Sequence, residues 1–70
     1  MDIENAIVRN RLKEILSERG LKQNFIAEKS GITRQTFSNL VNNRFNPSME
    51  LAFKICKVLE LNLEDVFYYE

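Results

Sequence analysis

Four uncharged polar residues, Gln35, Ser38, Asn39 and Asn42, recur at the three- and four-residue intervals that place side chains on one face of a helix. At about 100° per residue, Phe37, Leu40 and Val41 gather with Thr33 on the opposite side. Carboxamides carry a donor and an acceptor side by side, and a hydroxyl supplies either. These groups suit the edges of base pairs in the major groove: Gln and Asn grip N6 and N7 of adenine, and Ser serves either base type. Arg34, at the start of the same stretch, is placed to reach guanine O6 and N7 or a phosphate. A merely solvated helix face has a similar composition, so the element that presents this face decides between the two readings.

That element is a helix expected over Arg34–Asn42, with Thr33 offering an N-cap hydroxyl and Asn42-Asn43 closing it. A helix over Gln23–Ser30 precedes it and is stopped by Gly31. Together they supply what a helix-turn-helix requires. Ile26, small Ala27, turn glycine Gly31, Ile32, Phe37 and Leu40 fall in register within a unit spanning 23–42. Gln23 opens the first of these helices, where free backbone N–H groups and the helix dipole favour an anion, and Lys22 lies just before it. Asn43 and Arg44 follow the second, placed to touch the strand flanking the groove. Phosphate contacts of this kind orient a domain, while the outer face specifies sequence.

Further helices surround the unit. Val8, Leu12, Ile15 and Leu16 form one apolar stripe, predicting a helix over Asn5–Arg19 that ends at Gly20, with Leu21 making the accompanying hydrophobic contact. Asn46-Pro47 turns the chain. Ser48 caps a helix with the stripe Leu51, Ala52, Ile55, Val58 and Leu59, and Asn62 with Asp65 caps a last short one, Leu63 to about Tyr68. No strand alternation shows. The expected fold is all-α, a compact five-helix bundle with a central helix-turn-helix, and residues 1–70 form one domain.

The composition sets bounds. With 70 residues, the net stability expected of the core is only about 3–5 kcal/mol. The formal net charge is zero, but it is unevenly spread. Residues 19–48 carry five cations against one anion, a local +4, whereas residues 49–70 carry two cations against five anions. Phosphate affinity depends on charge within about a Debye length, roughly 8 Å at physiological salt, so the basic middle is compatible with DNA. One cysteine and no histidine leave no internal disulfide and no familiar zinc site. With no glycine-rich phosphate loop and no nucleophile beside a base, neither an enzyme, a cofactor nor a small-molecule ligand is expected. No apolar run approaches the roughly 18–20 residues of a membrane span, and the first ten residues lack a signal-peptide layout. A cytoplasmic protein is the expectation.

From Asn10 to Phe67 the chain resembles the phage Cro/repressor family of helix-turn-helix proteins, also called the xenobiotic-response-element family. The residues that carry the resemblance are Gly20-Leu21, Gln23, Ile26-Ala27-Glu28-Lys29, Gly31-Ile32-Thr33-Arg34-Gln35-Thr36, Asn46-Pro47-Ser48 and Leu63-Glu64-Asp65-Val66-Phe67. It implies a lambda-repressor-like domain and a sequence-specific transcriptional regulator, usually a repressor, that binds a pseudo-palindromic operator as a homodimer. It also implies that Gln23 and Gln35 meet DNA, and brings Thr33 and Thr36 into the candidate set. The chain is similar to the short stand-alone members, often regulators of phages or mobile elements.

Four departures from the family pattern stand out. Lys22 replaces a capping Ser or Thr. Leu16 and Val41 occupy the places of a buried Arg–Glu pair, which an apolar pair can replace without loss. Glu60 stands where a glycine usually ends the fourth helix, so that turn is expected to be strained or differently shaped. Phe25 replaces a generally polar residue, and either folds into the core or stands exposed as a contact.

One domain covers a half-site, and a second copy about 34 Å along the groove supplies the rest. The tail 61–70 is the candidate dimer surface, with Phe67 in the core and Tyr68 and Tyr69 either packing across a twofold axis or covering the domain's own end. Ile3 and Ile7 either complete the core or widen that interface. Cys56 reads as a small buried residue rather than a redox sensor. The competing reading is a protein-interaction module, an antitoxin or adaptor that holds a regulatory protein partner through Phe25 or the tyrosines.

Overall fold

The computed structural model describes residues 8–69. Its elements are β1 (Val8–Asn10), α1 (Leu12–Arg19), α2 (Gln23–Ser30), α3 (Arg34–Val41), α4 (Met49–Leu59), α5 (Leu63–Val66) and β2 (Phe67–Tyr69). The five expected helices are present. The all-α expectation is corrected by an antiparallel ribbon in which Val8 faces Tyr69, Arg9 faces Tyr68 and Asn10 faces Phe67. Helix one therefore starts at Leu12 and not at Asn5, and helix five ends at Val66 and not near Tyr68. The physical reason for the first is Asn10, whose Oδ1 accepts the Leu12 N–H at 3.1 Å and turns the chain out of the strand. Asn5, and the roles weighed for Ile3 and Ile7, lie outside the described residues.

The way the helices end organises this fold. The positive-φ positions among the described residues are Gly20, Gly31, Asn43 and Glu60. Each follows α1, α2, α3 and α4 in turn, and each is bridged by the same bond from the next residue's N–H to a carbonyl five residues back. The bonds run Leu21 to Leu16 at 2.9 Å, Ile32 to Ala27 at 3.0 Å, Arg44 to Asn39 at 2.9 Å and Leu61 to Cys56 at 3.0 Å. This is the Schellman ending, which satisfies orphan carbonyls and reverses the chain sharply. Two glycines take the left-handed conformation freely, asparagine takes it at modest cost, and Glu60 takes it at φ 58° against a Cβ penalty. The strain expected at Glu60 is thus in its backbone, while the turn keeps the shape of its neighbours. Replacing Glu60 by Gly should raise stability by about 1 kcal/mol, since it relieves that penalty and removes an anion from a helix C-terminus. The urea midpoint reports this directly, and an unchanged or lower midpoint would refute it.

The core is one cluster. Leu12, Leu16, Ile26, Ala27, Phe37, Leu40, Val41, Ala52, Ile55, Cys56, Leu59, Val66 and Phe67 are buried, with α2 packed against both α3 and α4. Leu16 and Val41 sit in it as the repacked pair. Phe25 does not fold inward: it is 46% exposed, with the Lys29 ammonium 5.7 Å from its ring centre. One turn of helix separates these two residues, and the core side of α2 is already filled by Ile26, Ala27 and Ser30. Cys56 is buried, and burial, followed by the nearby charges of Asp65 and Glu64, pushes its thiol above the ordinary range. The thiolate is disfavoured there, as suits an inert core residue.

Candidate nucleic-acid interface

Thr33 starts α3 as expected. Its Oγ1 accepts the Thr36 N–H at 3.1 Å and lies 2.9 Å from the Thr36 hydroxyl, so both threonines are engaged in the cap. From this start the amphipathic pattern runs true: Phe37, Leu40 and Val41 are buried, while Gln35 and Asn42 are exposed and Ser38 and Asn39 half-buried. Burying the phenyl ring therefore orients the whole helix and turns its amide face outward.

That face is internally connected. Gln35 Nε2 donates to Asn39 Oδ1 at 3.0 Å, and Arg44 Nη1 donates to the same oxygen at 2.8 Å. Asn42 turns back on its own helix, with Nδ2 donating to the Ser38 carbonyl at 2.9 Å, which leaves its Oδ1 to present outward. Asn43 holds the left-handed turn and lies 3.3 Å from Asn10 Nδ2. Asn10 Nδ2 also donates to the Leu40 carbonyl at 2.8 Å, tying the end of α3 to the end of β1.

The N-termini of α2 and α3 meet at a shallow polar depression lined by Lys22, Gln23, Asn24, Arg34 and Ser38. Lys22 precedes α2 in extended conformation and offers no side-chain cap. The first N–H groups of a helix have no partner within it, so this end keeps donors open to an anion. The departure from the usual capping residue leaves an uncapped helix end with a lysine beside it. Asn24 was not singled out by sequence; only the convergence of two helix ends brings it to the depression. Sequence reasoning also missed Asn10, whose partners lie 30 and 33 residues away.

Charge is redistributed as well. Arg19, counted in the basic middle of the chain, donates through Nη1 to the Leu59 carbonyl at 2.6 Å, neutralising the end of α4 rather than extending the α3 face. Arg11 lies 4.8 Å from the centre of the Tyr68 ring. Lys22, Arg34 and Arg44 are the cations bordering α3 at its two ends. Among the described residues there is no group of three or more metal-ligating side chains, and no helix is long and apolar enough to cross a membrane.

Two short helices, α2 and α3, joined through the left-handed turn at Gly31, with α3 capped by Thr33 and its amide face turned outward, define the helix-turn-helix class. The chain belongs to the Cro/C1-type helix-turn-helix DNA-binding family, whose model matches residues 11–70. Over 63 residues it is 38% identical to YgzD, an uncharacterized HTH-type transcriptional regulator of Bacillus subtilis, with 90% of this chain and 96% of that protein covered. The fold is shared with the transcriptional regulator VanUg at a TM-score of 0.82 and 24% identity, covering 100% of this chain and 93% of that one. The restriction-modification controller protein C.AhdI from Aeromonas hydrophila aligns at a TM-score of 0.73 and 25% identity, covering 79% and 83% respectively. The family is one of DNA-binding transcriptional regulators rather than enzymes.

Proposed function

We propose that this protein is a cytoplasmic, sequence-specific repressor that binds a pseudo-palindromic operator as a homodimer, with α3 in the major groove of each half-site. The observation that carries the reading is the outward amide face of α3, set between Arg34 and the Lys22–Gln23 helix end on one side and Arg44 on the other. Gln35, Ser38, Asn39 and the free oxygen of Asn42 read base edges. Lys22, Gln23, Arg34, Asn43 and Arg44 engage phosphates, and Thr33 and Thr36 hold the start of the reading helix in place.

Selection of bound sequences from a random duplex pool, followed by titration of the enriched duplex by fluorescence anisotropy, tests this. Gln35→Ala and Asn39→Ala should each weaken operator binding by about 1–3 kcal/mol while melting like the parent, because both side chains lie on the outer face. If both variants bind the operator as tightly as the parent, the assignment of base contacts is wrong. The interaction-module reading draws on exposed Phe25; it predicts no salt-dependent binding to any duplex, so a salt titration separates the two.

The ribbon supports a dimer surface at the tail. Along a strand successive side chains alternate, so Tyr69 shares the side of buried Phe67 and Tyr68 points the other way, toward Arg11. Val8, Pro47, Met49, Ala52, Leu63, Phe67 and the two tyrosines line an apolar groove there, with Tyr69 65% exposed. The Tyr68→Ala/Tyr69→Ala double variant should sediment as monomer, with most of the effect coming from Tyr69. An unchanged dimer would remove the tail from the interface.

A further inference from the structure

Three of the four Schellman endings place an apolar side chain after the turn, at Leu21, Ile32 and Leu61, as is usual where that residue packs back on the helix. The ending of α3 is the exception. Arg44 occupies that position, and the side chain it meets is Asn39, three residues before the helix cap. The two residues are joined twice, by the backbone bond at 2.9 Å and by Arg44 Nη1 to Asn39 Oδ1 at 2.8 Å. The turn fixes where Arg44 begins, so this contact is built by the fold and not by a freely ranging side chain.

A guanidinium has donors only. The atom it holds on Asn39 must therefore be the amide oxygen, and that orientation forces the next: Gln35 meets the same oxygen at 3.0 Å and must present its Nε2. Both lone pairs of Asn39 Oδ1 are then occupied. What Asn39 has left is Nδ2 with its N–H groups, a donor alone. Gln35 keeps Oε1 and one N–H, the donor–acceptor pair that matches adenine.

We propose that Arg44 is a positioning residue that fixes the hydrogen-bonding polarity of the α3 face, so that Asn39 selects a keto base, guanine through O6 or thymine through O4, beside an adenine taken by Gln35. The proposal rests on α3 being the groove-reading helix. At the exocyclic position of this edge guanine and thymine present the acceptors O6 and O4, whereas adenine N6 and cytosine N4 would meet the Asn39 N–H groups donor to donor. Adenine is left with N7 alone, where guanine offers O6 beside N7, and cytosine with no acceptor. Without Arg44 the Asn39 amide is free to rotate end for end and accept either class.

Selection of bound sequences from a random duplex pool, with the full chain as parent, Asn39→Asp and Arg44→Ala, tests the proposal. The parent should enrich one position for keto over amino bases by about tenfold, within the usual cost of a mismatched pair. Asn39→Asp keeps an oxygen on Arg44 and Gln35 but replaces the outward donor with an acceptor, so the same position should switch to cytosine or adenine. Arg44→Ala should flatten that position to within about twofold while the enrichment at other positions survives, whatever the loss of overall affinity. A loss of phosphate charge alone would weaken all sequences together and move no single position. A keto preference that persists in Asn39→Asp, a full preference in Arg44→Ala, or a parent that enriches other positions but shows no keto base would each overturn the relay. A parent that enriches nothing would overturn the groove-reading role itself. Should Arg44→Ala fail to melt cooperatively, Arg44→Met, which keeps an aliphatic stem but has no donor, takes its place with the same flattening expected, and a full keto preference there would overturn the proposal.

Discussion

Replacing Phe37 by Ala should abolish cooperative unfolding at room temperature and, with it, DNA binding. Phe37 is the largest of the fully buried side chains and comes from the middle of α3, an eight-residue helix too short to persist alone. Truncating a buried phenylalanine typically costs about 3–5 kcal/mol, through lost transfer energy and the cavity left behind. That matches the roughly 3–5 kcal/mol that a core of this size supplies in total. The functional loss follows from position: Phe37 is the anchor that turns Gln35, Ser38 and Asn39 outward, so an undocked α3 presents no ordered face. The control is Phe53, on the solvent side of α4 and 52% exposed, where Phe53→Ala should shift stability by no more than about 0.5 kcal/mol. Urea titrations followed by circular dichroism distinguish these outcomes. A Phe37→Ala variant that still melts cooperatively, only a few degrees below the parent, would show that α3 is held chiefly by something else.

The helices were legible because their signals are local. Gly20 and Gly31 mark left-handed turns, Thr33 and Ser48 accept the N–H three residues on, and Asp65 Oδ2 accepts the Asn62 N–H at 3.0 Å. Each is decided within a handful of neighbours. The ribbon was not legible, because its pairing joins Val8 to Tyr69 across almost the whole chain, and three-residue strands are too short to display alternation. Val8 stands four residues before Leu12, so it completed a helical stripe by coincidence of spacing while packing on the core from a strand. The aromatic run Phe67-Tyr68-Tyr69 favours strand, but the capping signal at Asn62 pointed to a continuing helix. In the site, the wheel of α3 gave the outward face correctly. What it cannot give is how those side chains bond to one another, since the Arg44–Asn39 contact depends on the chain reversing at Asn43.

Asn10 shows what such non-local contacts contribute, and Asn10→Asp should destabilise the protein more than Asn10→Ala does at neutral pH. The Asn10 carboxamide works at both ends: Oδ1 accepts from Leu12 N–H, and Nδ2 donates to the Leu40 carbonyl at 2.8 Å while facing Asn43 Oδ1 at 3.3 Å. Alanine removes these bonds and leaves half-buried partners short of hydrogen bonds, at about 1–2 kcal/mol. Aspartate has nearly the same shape and keeps the bond from Leu12, but it sets a charged oxygen against the Leu40 carbonyl, a loss of about 2–3 kcal/mol. The neutral acid, by contrast, regains an O–H donor for that carbonyl. The folded state therefore favours protonation and raises the pKa of the introduced carboxyl above its unfolded value of about 3.9. By linkage, stability relative to the parent is best below that unfolded value and is lost as pH rises through the folded pKa. Stability of Asn10→Asp measured against the parent from acid to neutral pH should thus show a deficit that grows with pH, whereas the deficit of Asn10→Ala stays flat. Because Asn10 holds the turn from which Arg44 reaches Asn39, operator affinity should fall along the same pH curve. Parent-like melting of Asn10→Asp at neutral pH would show that the tether between β1 and the end of α3 contributes nothing to stability.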